Sequence, residues 1–130
     1  MEIKRATHLN GEYLDVKFLI INWQEYGRSN WTYYLLLPDI EEMKDIDDAV
    51  IHPILGQLPW NGGITFFQKD YNGLMKIGCD FQHSWNDKNI SEGEIIRDMK
   101  RTIVEYVISN TLNTIEGLEK QLNKFKTTTS

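Results

Sequence analysis

The chain has 130 residues, 41% hydrophobic, 25% charged and 12% aromatic, with a formal net charge of −5 and one cysteine, Cys79. That length fits one domain, which can bury roughly two-thirds of its unfolded surface without crosslinks. The acidic balance argues against a nucleic-acid polymer as partner, because phosphate neutralisation dominates that affinity; the lone cysteine excludes an internal disulfide and points to a reducing compartment; and the longest apolar run, Tyr33 to Leu37, falls far short of the ~20 residues of a membrane span.

The first residues include Glu2, Lys4 and Arg5 and lack the apolar stretch of a signal peptide. Glu2 to Ile21 reads as a hairpin turning at Asn10-Gly11, a pair suited to a two-residue turn in which both central positions need positive φ. Leu14, Val16, Phe18 and Ile20 then alternate with polar residues, as a half-buried strand does. Asn22 to Asn30 reads as a loop carrying Trp23, Tyr26 and Arg28, and Trp31 to Leu37 as a third strand stopped by Pro38. Asp39 to Asp48 predicts a short helix capped by Asp39, and Ile51 to Gly63, with two prolines and three glycines, an irregular path.

Ile64 to Lys69 and Gly73 to Phe81 predict a second hairpin joined at Asp70-Tyr71-Asn72, followed by a polar loop from Gln82 to Ile90. Ser91 with Glu94 three residues on is a capping-box pattern, and Ile96, Met99, Ile103, Val107, Leu112, Ile115, Leu118, Leu122 and Phe125 continue it at helical steps. Unbroken, this helix is ~50 Å long by its rise per residue. Either it breaks near Ser109-Asn110-Thr111, three poor helix formers, or it projects and packs on a second copy. The expected fold is α+β in one domain: an antiparallel β-sheet of hairpins within residues 1–81, then a long C-terminal amphipathic helical region over 91–125.

Few residues suggest catalysis or metal binding. Cys79, Asp80 and His83 are close in sequence, with His8 and His52 elsewhere, but the spacing fits no zinc pattern, and neighbours on a strand point to opposite faces. A Cys79–His83 thiol–imidazole pair lacks a third orienting group, and a buried strand cysteine is the simpler account. Gly62-Gly63 lacks the lysine and helix of a phosphate loop and reads as a tight entry into a strand. No cofactor is expected. The more informative set is cationic and aromatic: Arg97 and Arg101 one helical turn apart, Arg28 among Trp23, Tyr26 and Trp31, and Phe81 with Trp85 just before the helix. Guanidinium groups fork onto phosphate oxygens and aromatic faces stack on bases, so such a set suits a nucleotide-like ligand. A solvated, salt-bridged helix face, pairing Arg97 with Glu94 and Arg101 with Asp98, is the plainer alternative.

The stretches "HPILGQLPWNGGITFF" and "KIGCDFQHSW" resemble a family of small phage proteins, the first type of Thoeris anti-defence protein. The matching residues are Gly62, Gly63, Ile64, Thr65, Gly78, Asp80 and His83. The likeness covers the middle third of the chain, and this chain has Cys79 where an aromatic usually precedes the aspartate. Members of that family are sponges: they bind cyclic ADP-ribose isomers, messengers of bacterial TIR-domain immunity, without cleaving them, and some hold cyclic oligonucleotides at a separate site. The resemblance implies no enzyme activity, a host-cytoplasmic location, and a homodimer or higher homo-oligomer with the ligand between subunits. It implies Phe81 for stacking, Asn86 or Asn89 for the base edge, Arg28 and Arg101 (with Arg97 beside it) for phosphates, Asp80 for a ribose hydroxyl, Trp23 close by, and Ile103, Val107 and Leu112 at the oligomer interface. A nucleotide-cleaving enzyme using Cys79, Asp80 or His83, and a protein-binding inhibitor of a host factor using the Trp23–Trp31 loop or the helix, are the alternatives.

Overall fold

A computed structural model describes residues 6–25, 27–81 and 90–129, without the side chains of residues 6, 7, 28 and 125–129. The fold is α+β. Five strands, β1 (Ala6–Tyr13), β2 (Val16–Glu25), β3 (Arg28–Pro38), β4 (Phe66–Tyr71) and β5 (Leu74–Asp80), form one antiparallel sheet in the order β1-β2-β3-β5-β4. A short helix α1 (Ile46–Ile51) and a 3-10 turn (Leu55–Gln57) lie between β3 and β4, and the long helix α2 (Glu92–Thr129) follows β5.

The first hairpin turns at Leu14-Asp15, not at Asn10-Gly11. Leu14 and Asp15 have φ of 49° and 64°, the left-handed conformation that a tight two-residue turn imposes on both central residues. Gly11 instead pairs with Phe18 inside the β1–β2 ladder, and a Cβ there would stand 2.5 Å from the Phe18 ring. The glycine seats an aromatic ring rather than making a turn. The expected loop from Asn22 to Asn30 is also mostly strand: β2 runs on to Glu25, which pairs with Arg28 at the start of β3. In the second hairpin the left-handed pair is Asn72-Gly73, with a bulge at Asp70 displacing the register between Gln68 and Tyr71.

Helix α1 is capped by Asp45 rather than Asp39. The Asp45 carboxylate accepts from the Asp48 backbone N–H while the Asp48 side chain accepts from the backbone of Asp45. Asp39 is the acceptor of an ion pair with Lys69 at 3.6 Å, and the same ammonium donates to the carbonyls of Ile40 and Glu41. These contacts tie the segment after β3 to β4. The capping box at Ser91 and Glu94 forms as expected.

Register and alternation give the sheet two faces. One carries Val16, Ile20, Tyr33, Leu35, Leu37, Met75, Ile77 and Cys79, all buried, and α2 lies on it through Ile95, Met99 and Ile103. Tyr33 holds the centre, stacked on Trp60 and tilted against Phe81 at centroid distances of 5.9 Å, with its hydroxyl 2.7 Å from Thr102 Oγ1. The helix does not break at Ser109-Asn110-Thr111. It runs without interruption for 38 residues, about 57 Å by its rise, and residues 110–124 are exposed. Among the described residues no helix is long and apolar enough to cross a membrane.

Candidate functional site on the open face of the sheet

The face turned away from α2 follows from the pairing. Its rows across the strands are Glu12–Lys17–Leu36–Lys76–Gln68, then Asn10–Leu19–Tyr34–Gly78–Phe66, then His8–Ile21–Thr32–Asp80. Asn10 and Glu12 belong to one edge strand and Tyr71 to the other, yet all three line a single open cleft of about 520 Å³ together with Lys17 and Leu36. The sheet therefore curls, as right-handed twist makes long sheets do, and this face is concave. Leu19 and Thr32 are more than nine-tenths buried on it.

Lys76 stands at the centre of that concavity. Its Nζ lies 4.5 Å from the Tyr34 ring centroid, 4.7 Å from Tyr71 and 5.3 Å from Phe66. Tyr34 and Phe66 meet edge to face at 5.0 Å. Gly78 makes this possible, because a Cβ there would stand 2.5 Å from the Tyr34 ring and 2.3 Å from the Tyr33 carbonyl. Three ring faces stabilise the ammonium while keeping water from it, and that desolvation draws its pKa below the usual lysine value. A cation among rings in a concave surface matches a ligand with both a flat base and an anionic group. Further along the same face the Thr32 hydroxyl, cross-strand from Asp80, is buried without a hydrogen-bond partner. Buried polar atoms of that kind are uncommon and costly.

The arginine and aromatic set expected from the sequence does not converge in one subunit. Asp80, on the open face, and Phe81, on the helix face, point apart by strand alternation. Phe81 is 1% exposed, with its backbone N–H donating to Trp31 and its ring against Tyr33. It is a core residue, with no ring face offered to a ligand. Arg97 and Arg101 are exposed and lie about 180° around α2 from the sheet-packed residues, so the helix stands between them and Asp80. Among the described residues neither is ion-paired, to Glu94, Asp98 or any other carboxylate. Trp23, paired with Asn30 on the open face, donates from Nε1 to the Glu25 carboxylate at 3.3 Å. Arg28 is in register with Glu25; its side chain, and Asn86, Asn89, His83 and Trp85, lie outside the described residues.

The Cys79 thiol is 1% exposed, and burial pushes it up to about 12, only partly offset by hydrogen bonds from Tyr33 and the Asn61 backbone. It stays protonated at neutral pH, so it is no nucleophile in this conformation. Among the described residues no three His, Cys, Asp or Glu side chains cluster as metal ligands would. A second, smaller cavity of about 100 Å³ lies on the helix face between Leu9, Ile20, Asn22, Trp31 and Glu92, beside a buried and unpartnered Trp31 indole N–H.

Lys17, Tyr34, Phe66, Tyr71 and Lys76 were not singled out by sequence reasoning. A signal existed: on β3 and β4 the positions alternating with the core are large and aromatic where a solvated face would carry polar residues. Comparison of the chain with protein-family models, with curated proteins and with solved structures gives no match.

Proposed function

We propose that this chain is a phage-encoded sponge that binds cyclic ADP-ribose-type signalling nucleotides on the concave face of its sheet and holds them uncleaved, blocking TIR-based Thoeris defence in the host bacterial cytoplasm. The observation that carries the reading is Lys76 ringed by Tyr34, Phe66 and Tyr71 on a curled, open sheet. The rings supply stacking surfaces and Lys76 with Lys17 supplies cations, so base and phosphates each find a partner. The resemblance around Gly62, Gly63, Ile64, Thr65, Gly78 and Asp80 supports the same ligand class. Gly78 belongs to both lines of support, since its missing side chain is what admits the Tyr34 ring. Retention without cleavage is consistent with a Cys79 thiol that stays protonated.

The test mixes the protein with a panel of cyclic ADP-ribose isomers, measures free ligand, then heats the complex and identifies what is released. Depletion with intact ligand recovered is the expected result. An altered product would replace the sponge by a nucleotide-cleaving enzyme, and absence of depletion for every isomer would overturn the ligand assignment.

A further inference from the structure

Helix α2 has two apolar faces on opposite sides. Ile95, Met99, Thr102 and Tyr106 face the sheet. Nine residues further on, two and a half turns or about 180° around the helix, come Val104, Ile108, Thr111 and Ile115. Ile108, Ile115 and Leu122 recur every seven residues, with Val104, Thr111 and Leu118 three residues after each preceding heptad position. This is the a/d pattern of a two-stranded coiled coil, with β-branched residues at a in two of three heptads. Ile108, Leu112, Ile115, Leu118 and Leu122 are 44–60% exposed. Together they present on the order of 500 Å² of apolar surface per copy, and two copies covering each other's would bury roughly 1,000 Å², the size at which specific interfaces begin.

We infer that α2 pairs with α2 of a second copy as a parallel two-stranded coiled coil from Val104 to Leu122. The flanking charges choose the direction. Antiparallel overlap of the same stretch would set Glu105 against Glu119 of the partner subunit, both at the e position, a like-charge contact that opposes pairing. Parallel overlap sets Val107 beside the partner's Leu112 and Thr114 beside the partner's Glu119, with no such conflict. The same phase places Arg101 at a and Arg97 at d, so parallel pairing brings like charges together just before Val104, and the seam closes only beyond them. Both sheets then sit at one end, on the outer sides of the coil. Ile103, expected at the interface, is 0% exposed in the core and takes no part; Val107, half-buried against the core, and Leu112 flank the seam.

Sedimentation equilibrium of the full chain should give a dimer, tighter at higher salt because the arginines are screened. Ile115→Asp should return it to a monomer whose sheet signals in an NMR amide spectrum are unchanged. Ile108→Cys and Leu122→Cys should each oxidise to a covalent dimer, as buried Cys79 cannot. A monomeric wild-type chain would overturn the inference. So would a dimer in which neither cysteine variant crosslinks alone but a mixture of Ile108→Cys and Leu118→Cys proteins does, the signature of antiparallel helices.

Discussion

The hydroxyl of Tyr33, on the central strand, and that of Thr102, on α2, meet at 2.7 Å inside the sheet–helix interface, and Thr102 Oγ1 also bonds the Asp98 carbonyl at 3.1 Å. This polar contact sits among Met99, Ile103, Trp60 and Phe81 and fixes where along its length the helix docks. Thr102→Val keeps the shape but strands the tyrosine hydroxyl, which costs about 1–3 kcal/mol. Tyr33→Phe alone should cost a similar amount. The double variant should lose less than the sum, by about 1 kcal/mol, in urea unfolding. Additive losses would mean that the two hydroxyls do not depend on each other.

Cys79 lies cross-strand from Tyr33, and burial raises both groups. Their neutral forms are favoured in the folded state, so between the unfolded cysteine value of 9.0 and the folded value of about 12 the folded chain binds more protons than the unfolded one. Stability must therefore fall as pH rises through that window. Moving from pH 8 to pH 10 should cost about 1 kcal/mol from the thiol alone. Cys79→Ala should flatten the decline, leaving the part that Tyr33 contributes; an unchanged slope would show that the thiol is not the group responsible.

Glycines divide by what stands over them. At Gly78 a Cβ would meet the Tyr33 carbonyl, which the sheet holds in place, as well as the Tyr34 ring. At Gly11 the obstacle is the tip of the Phe18 ring on an edge strand, which can swing aside. Gly78→Ala should therefore destabilise by about 3 kcal/mol or prevent folding, and Gly11→Ala by about 1 kcal/mol. Thermal unfolding of the two variants side by side decides it, and equal losses would contradict this geometry.

Much of the fold was legible because it rests on periodicity. Alternation along Val16 to Ile20, the Ser91–Glu94 box and the apolar helical steps each report a local rule, and each element formed. The errors arose where one residue type serves two purposes. Asn10-Gly11 carries a turn signature, but tertiary packing of Phe18 uses the glycine within a strand. The long helix was readable as amphipathic, but not that its apolar side changes faces past Tyr106, because steps of three and four satisfy either face. The expected site gathered residues by nearness in sequence, so Asp80 and Phe81 were joined although a strand turns them apart, while Lys76 and its three rings, spread over β3, β4 and β5, come together only through register.

The Leu14-Asp15 turn offers a stability gain. Both residues hold positive φ at a cost that asparagine and glycine largely avoid. Leu14→Asn with Asp15→Gly should stabilise the chain by about 1 kcal/mol, read as a higher urea midpoint with unchanged slope. Leu14 is 51% exposed, so little packing is lost. Destabilisation by the pair would mean that the turn adopts another conformation.

The concave face makes a prediction that separates binding from folding. Lys76→Met removes the charge and keeps an unbranched apolar stem among Tyr34, Phe66 and Tyr71, so stability should move by no more than about 0.5 kcal/mol. Affinity for the retained cyclic ADP-ribose isomer should fall at least about tenfold by calorimetry, the effect of one lost charge-assisted contact. Tyr71→Ala should weaken binding comparably through lost stacking. Because desolvation lowers the Lys76 pKa, wild-type binding should fade on the alkaline side earlier than an ordinary lysine would allow, and Lys76→Arg should extend it. Phe81→Leu, by contrast, should lower the unfolding midpoint while leaving affinity near wild type, since that ring belongs to the core. Wild-type affinity in Lys76→Met together with lost binding in Arg101→Glu would move the ligand from the sheet to the far side of α2.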